Sequence, residues 1–404
     1  MNTHIRGMVK NPPEKPLPFP DIDPFGVLNL LPDHEKEWFL RIRTYLQEEV
    51  RPHIVDYWNT EEFPLHLLEG MAEVGLARLE TSGTSWLFRG LVYAEVTRVD
   101  VSLSALVGIH NELVLGMINI LGSDEQKAEM LSKLESFELT GAFALTEPDH
   151  GSDIAGGLET SATFDGEHWV INGEKRWIGM GTIADFALVW ARDTADQQIK
   201  AFIVPTDAPG YEAEKIRNKI GLRVMQNAHI TLTDVKVPAS AHLPGAVNFD
   251  AANEMLRNSR AWVGWQGYGI QLGIFDIARD YALTRQQFGK PLAKFQLIQK
   301  NIAEIMSNTQ AALGLMMNCA RMQENGTLDM VHAAMAKATT TKLARQSAWL
   351  GREIQGGNGM TTDYEMAKFF GDAEILYTYE GTYEINSLIA VSYTHLTLPT
   401  ILLV

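Results

Sequence analysis

The sequence predicts an α+β protein in three zones: helical, then β, then helical again. Three observations carry this. Residues 34–138 space their apolar side chains at mostly helical intervals. Residues 139–245 break into short runs rich in Val, Ile and Thr, punctuated by Gly, Asn and Asp. Residues 246–390 return to long helical patterns joined by short connections that contain Gly or Pro. At 404 residues the chain is long enough for two or three packed domains.

The segment 1–33 is an N-terminal extension with scattered charge and several prolines. It lacks the apolar centre of a signal peptide. The first helix is expected in "DHEKEWFLRIRTYLQEEV", with Asp33 as N-cap and Trp38, Leu40, Ile42 and Leu46 on one face. A second start is written in "SDEQKAEMLSKLES", where Ser123 and Gln126 have capping-box spacing. The stretches "HWVING", "FALVWA", "AFIVPT" and "HITLTDVKVP" read as strands of a small antiparallel β domain. Helical segments near 253–284, 294–324, 328–353 and 362–377 read as a bundle with antiparallel neighbours, turned by "FGKPLAKF" and "QGGNGM". The last residues, 391–404, combine Thr, β-branched residues and a proline and cannot simply prolong a helix. Val391–Thr400 also matches one reading frame of a transposon-based sequencing adapter. We read 391–404 as a non-native tail, which recloning of the locus tests.

Hydrophobic residues make up 46% and charged residues 21%, ordinary for a globular protein. The net charge of −16 argues against a nucleic-acid partner, which requires clustered Lys and Arg. One local basic stretch, Lys215, Arg217, Lys219 and Arg223, reads equally well as an anion site and as a solvated loop. Cys319 is the single cysteine, so neither a disulfide framework nor a thiolate metal cluster is expected. The histidines lack ligand spacing, and no metal is expected. No apolar run reads as a membrane span, and the expected location is the cytoplasm or an organelle matrix.

Three segments carry candidate chemistry. "FALTEPDHGSD" (Phe143–Asp153) offers the hydroxyls of Thr146 and Ser152 and free N–H groups around Gly151, suited to a phosphate or a heterocycle edge. Taken alone, the segment reads better as a strand followed by a polar turn. "GEKRWIGMG" sets Trp177 beside glycines that allow a flat ligand such as an isoalloxazine to approach, although a lone strand Trp is more often core. "YTYEGTYEIN" places Glu380 before Gly381 and among aromatics. A carboxylate in an apolar setting shifts towards neutral pKa and suits a general base, against the ordinary reading of a surface glutamate.

Taken in order and register, "LTEPDHGSD", "NGEKRWI", "TRQQFGKPLAKFQ", "GGNG" and "YEGTYEIN" resemble the acyl-CoA dehydrogenase family over about residues 35–390. The likeness is greatest to its glutaryl-CoA dehydrogenase branch and to plant-type short-chain acyl-CoA oxidases. The resemblance implies an N-terminal helical domain, a middle β domain, a C-terminal four-helix bundle and a homotetramer. It implies FAD as cofactor, lined by Phe143, Leu145, Thr146, Ser152, Trp177, Ile178 and Gly179, with Thr382 and Glu384 completing the site. Arg285, Phe288, Gln296, Glu353, Gly356 and Gly357 fall where the family reaches the FAD, the arginine doing so towards a neighbouring subunit. Arg260, Ser152 and Gly381 would hold the acyl-CoA substrate. Glu380 would take the α-proton while hydride leaves Cβ for the flavin, the enolate being stabilised by a ribityl hydroxyl and the Glu380 N–H. The electron acceptor would be an electron-transfer flavoprotein or oxygen.

Departures narrow the reading. Gly179 stands where most of the family has Thr beside the flavin, and Glu353 where a glutamine is usual. Glutaryl-CoA dehydrogenases carry an arginine four residues after an "RVD" segment; here Arg98-Val99-Asp100 is followed at that spacing by Ser104. A distal carboxylate would lack its guanidinium, so a short, neutral acyl chain is expected. Trp262 and Trp265 either shorten the acyl pocket or simply pack helices. Competing readings are an acyl-CoA oxidase, a flavin monooxygenase on the same scaffold, and a non-catalytic protein of this fold.

Overall fold

A computed structural model describes residues 22–394. Most of the 1–33 extension and residues 395–404 of the tail lie outside the described residues.

The first zone comprises α1 (Asp33–Tyr45), α2 (Arg51–Thr60), α3 (Leu67–Glu73), α4 (Trp86–Val99), α5 (Val101–Leu121) and α6 (Asp124–Leu134). Pro32, not Asp33, is the N-cap of α1; Asp33 and Glu35 fall in the first turn, where the helix dipole favours acids. Ile42 and, just past the helix end, Leu46 are buried as expected and Trp38 is half-buried, but Leu40 is 43% exposed and Phe39 is buried in its place. Ser123 and Gln126 cap α6 reciprocally at 3.2 and 2.8 Å, as their spacing predicts. Contrary to expectation, α5 is long and apolar enough to cross a membrane, yet 94% of its apolar window is buried inside the fold. It relaxes into π-helical turns at Ile109–Leu115.

The second zone is a seven-stranded sheet of β1 (Gly141–Ala144), β2 (Ser161–Phe164), β3 (His168–Ile178), β4 (Phe186–Asp193), β5 (Ile199–Pro205), β6 (Tyr211–Lys215) and β7 (Ala228–Pro238). The four expected strand segments are parts of β3, β4, β5 and β7. The order is β1-β4-β2-β3-β7-β6, with β5 also on β4. Four pairings are antiparallel; β1 and β2 both run parallel to β4. Register along β3 and β7 shifts between Lys175 and Ile178, so the strand kinks where Trp177 sits.

The third zone holds α7 (Phe249–Thr284), α8 (Gln296–Glu324), α9 (Met330–Gln355), α10 (Met366–Thr378) and α11 (Tyr383–Val391). The central helix α7 packs on α4, α8, α9 and α10. Gly269 permits the approach to α4: a Cβ there would stand 2.2 Å from the Ala94 carbonyl oxygen.

Buried ion pairs join the zones. Arg98 donates to both oxygens of Asp276 at 2.7 and 3.0 Å, and Lys368 meets Asp100 at 2.8 Å. The "RVD" segment thus contributes Arg98 and Asp100 to helix–helix contacts. The basic stretch fits neither sequence reading. Lys219 donates to the carbonyls of Leu222 and Met225 and to Asn227, and Arg223 bonds the carbonyls of Trp58 and Asn59 and pairs with Glu61 at 2.8 Å. It latches the sheet domain to α2. Arg217 alone of the four is exposed.

Candidate active site

The turn between α10 and α11 carries Glu380. Its backbone is left-handed at φ 54°, followed by Gly381 at φ 82°. Such a conformation costs a glutamate about 1 kcal/mol or more and persists only when its surroundings fix it. Several groups do so. The fully buried Asn386 amide donates to the Gly381 carbonyl at 2.7 Å and to that of Thr382 at 3.1 Å. Thr382 caps α11 through Oγ1, which accepts the Ile385 N–H at 3.2 Å. The Glu380 carboxylate is half-buried, and the Ser259 hydroxyl from α7 donates to its Oε2 at 2.7 Å.

Arg260 follows Ser259 and lies beside this turn; its Nε is 3.8 Å from the position a Cβ of Gly381 would take. Its Nη1 donates to the Leu256 carbonyl at 3.3 Å and touches the Met330 sulfur, while the buried Nε has no partner among the described residues. Burial depresses its pKa and the nearby Glu380 opposes that. The surroundings of Glu380 are therefore more polar than its aromatic sequence neighbours suggest. Glu384 is exposed in the first turn of α11.

A second cluster lies in the sheet. Trp177 sits at the β3 kink with φ 65° and 54% of its surface exposed, the Arg176 guanidinium 5.0 Å from its ring. The Arg176 N–H donates to the Thr146 carbonyl at 2.8 Å, which ties this kink to the segment after β1. Phe143 is half-buried against Trp190, Thr146 half-buried, and Ser152 exposed. Leu145 and Ile178 are buried, so their side chains pack in the core and do not line an open cleft.

Helix α5 connects the two clusters. A Cβ on Gly179 would meet Ile109 Cδ1 at 2.8 Å, and one on Gly108 would meet the Trp262 ring at 2.7 Å. Trp262 lies 6.2 Å from the Tyr379 ring, next to Glu380. A polar chain runs alongside: the Tyr379 hydroxyl donates to Gln266, whose amide donates to Ser104 at 2.9 Å, with Thr97 2.7 Å from Ser104. Burial and then Glu380 push the Tyr379 phenol well above its ordinary pKa, so it stays a donor.

The remaining predicted residues stand apart. Arg285 ends α7, and Phe288, 91% exposed, tips a two-stranded ribbon, Gln286–Gln287 with Lys290–Pro291. Gln296, Glu353, Gly356 and Gly357 are exposed, and a Cβ on either glycine would meet nothing within 4 Å. Asn358, beside those glycines, donates to the Tyr281 hydroxyl at 3.0 Å, so ribbon and loop share one end of the bundle. The 25 residues from Arg260 to Arg285 span roughly 38 Å of helix. One chain does not bring this group to Glu380.

Three domain models match consecutive stretches: acyl-CoA dehydrogenase N-terminal domain over 32–138, middle domain over 142–235 and C-terminal domain over 249–392. The chain belongs to the acyl-CoA dehydrogenase family. It is 31% identical over 370 residues to the human mitochondrial short-chain specific acyl-CoA dehydrogenase, covering 89% of each chain. Among solved structures, glutaryl-CoA dehydrogenase from Mycobacterium smegmatis aligns at a TM-score of 0.88 with 33% identity, covering 93% of this chain and 98% of that one. Butyryl-CoA dehydrogenase from Megasphaera elsdenii aligns at 0.85 with 28% identity, covering 90% and 99%.

As an acyl-CoA dehydrogenase the protein is an FAD-dependent oxidoreductase. The residues present suit that cofactor. A large indole left open at a strand kink is a seat for a flat ring, and the Thr146 and Ser152 hydroxyls are accessible polar partners.

Sequence reading missed Ser259, Gln266, Tyr379 and Lys337. A signal existed for one. Lys337 falls on the helical stripe of Ala333, Thr340, Thr341 and Ala344, all buried, and a charge within such a stripe marks a group with a specific partner. Nothing in the sequence pairs Ser259 with a residue 121 positions away.

Proposed function

We propose that the protein oxidises a short, neutral acyl-CoA to its trans-2-enoyl-CoA, with Glu380 as the base that removes the α-proton. The observation that carries this reading is the Glu380 turn: a carboxylate on a left-handed backbone, held by Ser259 and beside the partly unsatisfied Arg260. Strain of this kind collects at functional sites.

The α-proton of a thioester is too weakly acidic for a free carboxylate. The Glu380 N–H, presented at the same turn, would donate to the thioester oxygen as enolate character develops. Arg260 would bind CoA, and Ser152 and Gly381 would orient the thioester. FAD, when bound, supplies the acceptor for the hydride leaving Cβ. Phe143, Thr146, Trp177, Gly179, Thr382 and Glu384 would line it, with Leu145 and Ile178 contributing main chain only. Arg285, Phe288, Gln296, Glu353, Gly356 and Gly357 would reach the FAD of a neighbouring subunit in a homotetramer. Their distance from Glu380 along α7 supports that division.

Two features support a short, neutral acyl chain. Ser104, at the position of the glutaryl-CoA dehydrogenase arginine, is engaged by Gln266 and Thr97 and brings no cation. Trp262 is buried against Gly108, Tyr93 and Tyr379 and fills space beside the catalytic turn. Trp265 instead packs α7 on α4, where a Cβ on Gly90 would stand 2.0 Å from its ring. The dehydrogenase relatives favour an electron-transfer flavoprotein over oxygen as acceptor.

The test is anaerobic titration with butyryl-, octanoyl- and glutaryl-CoA, following flavin absorbance. Butyryl-CoA should bleach the flavin fastest, and faster glutaryl-CoA turnover overturns the neutral-chain assignment. Glu380→Gln should retain FAD and slow bleaching at least roughly a hundredfold; rapid bleaching refutes its role as base. Peroxide formed stoichiometrically in air would identify an oxidase.

A further inference from the structure

Lys337 is fully buried on α9, and its ammonium makes two hydrogen bonds, to the Tyr377 carbonyl at 3.1 Å and to the Gly381 carbonyl at 2.7 Å. These carbonyls lie on either side of Glu380. Both bonds come from one side chain on a helix distinct from α7, α10 and α11. We propose that Lys337 is a positioning residue for proton abstraction, clasping the two ends of the turn that presents Glu380. The proposal rests on Glu380 being the base.

Without the clasp, a non-glycine residue at φ 54° followed by glycine has room to relax. Relaxation would swing the carboxylate and its own N–H together, the two groups that proton removal and enolate stabilisation both need. Asn386 donates to the Glu380, Gly381 and Thr382 carbonyls at 3.4, 2.7 and 3.1 Å but does not reach Tyr377, so it cannot tie the turn back to the end of α10 as the lysine does.

The charges facing Lys337 are Glu380 from the turn, Arg260 from α7 and Glu384 from α11. Burial draws the ammonium down to about 7, resisted by Glu380 and Glu384 and aided by Arg260. A lysine held at that desolvation cost, with both bonds aimed at main-chain carbonyls of one turn, is there for the bonds. A neutral amine still has two N–H groups, so loss of the proton leaves the clasp intact.

The experiment uses the full-length holoenzyme and compares wild type, Lys337→Met, Lys337→Gln and Glu380→Gln. FAD content, crotonyl-CoA affinity and the anaerobic rate of flavin reduction by butyryl-CoA are measured. Reduction is repeated with butyryl-CoA deuterated at Cα and, separately, at Cβ. Lys337→Met is expected to keep FAD and crotonyl-CoA affinity while reduction slows roughly tenfold to a hundredfold, the scale set by small displacements of a reacting group. The α-deuterium effect should grow more than the β effect, which a general loss of packing would not produce. Reduction at the wild-type rate, or slowing with both isotope effects unchanged, overturns the proposal. Should Lys337→Met fail to fold, Lys337→Gln, whose amide keeps two N–H groups on a side chain one bond too short to span both carbonyls, is put through the same measurements, and the same two results overturn the proposal. Fast reduction by Glu380→Gln removes the base assignment itself; slow reduction by Glu380→Gln beside normal Lys337 variants removes only the clasp.

Discussion

Replacing Lys175 by methionine removes the cation from a pair whose lysine side chain is fully buried and whose Glu147 side chain is nearly so. Lys175 donates to Glu147 Oε1 at 2.8 Å and to the Leu145 carbonyl at 3.0 Å. Glu147 also accepts the N–H groups of Glu159 and Thr160 at 2.7 and 2.9 Å, so the carboxylate keeps two donors in the variant. Removing one partner of a buried pair costs about 3–5 kcal/mol, and the retained donors place this case at the lower end. That corresponds to a melting transition lower by roughly 3–4 °C for a chain of this size. Desolvation raises the Glu147 pKa, but Lys175 and the hydrogen bonds outweigh it and hold the carboxyl below its ordinary range. A depressed native pKa gives stability that is present at neutral pH and fades as the pH falls through it. In the variant Glu147 loses its counter-ion and protonates more readily, so the deficit should be largest near pH 7 and shrink at pH 5. Thermal unfolding of holoenzyme at both pH values, with Lys175→Met/Glu147→Gln as the double variant, is the assay. The double variant should recover most of the loss. A double variant as unstable as the single one, or a deficit that does not shrink in acid, would refute the reasoning.

Three further outcomes are expected. Burial, reinforced by Glu80 and only partly relieved by Arg89, pushes the Glu112 carboxyl up to about 8. The native state thus holds a proton that the unfolded chain has released, and stability falls as pH rises towards 8; Glu112→Gln, with Tyr93 still able to donate to it, should gain at least about 1 kcal/mol over wild type at pH 8.5 and little at pH 5 by thermal unfolding. Gly269→Ala forces a methyl against the Ala94 backbone and should destabilise by about 1–3 kcal/mol, read from denaturant midpoints. Trp262→Ala should raise the kcat/KM ratio of octanoyl-CoA to butyryl-CoA by at least roughly tenfold, since each accommodated methylene contributes about 1–3 kcal/mol; an unchanged ratio would assign Trp262 to packing alone.

Local signals identified most helices and strands because their causes are local. The Ser123 and Gln126 cap needs only four residues, and the Val-, Ile- and Thr-rich runs of β3, β4, β5 and β7 advertise extended backbone wherever they pack. On α1 only Leu40 was misplaced: Trp38, with its indole N–H on the Val74 carbonyl, sits at the edge of the buried stripe, and Phe39 joins Ile42 and Leu46 in it. The parallel pairing of β1 and β2 with β4 depends on which distant strand is met, which no short window records.

By itself the sequence determined the order of helical and β zones, the family, the cofactor class and the position of the Glu380 turn, because those are written in contiguous motifs. Tertiary structure decided what surrounds that carboxylate. Ser259, Lys337 and the Tyr379–Gln266–Ser104 chain are drawn from separate helices and meet only when α5, α7, α9 and the turn before α11 pack. It also turned a basic stretch into an interdomain latch and an apolar span into a core helix. The physical reason is one of range: caps, turns and periodicity act over a few residues, whereas desolvation and side-chain hydrogen bonding depend on neighbours that only folding supplies.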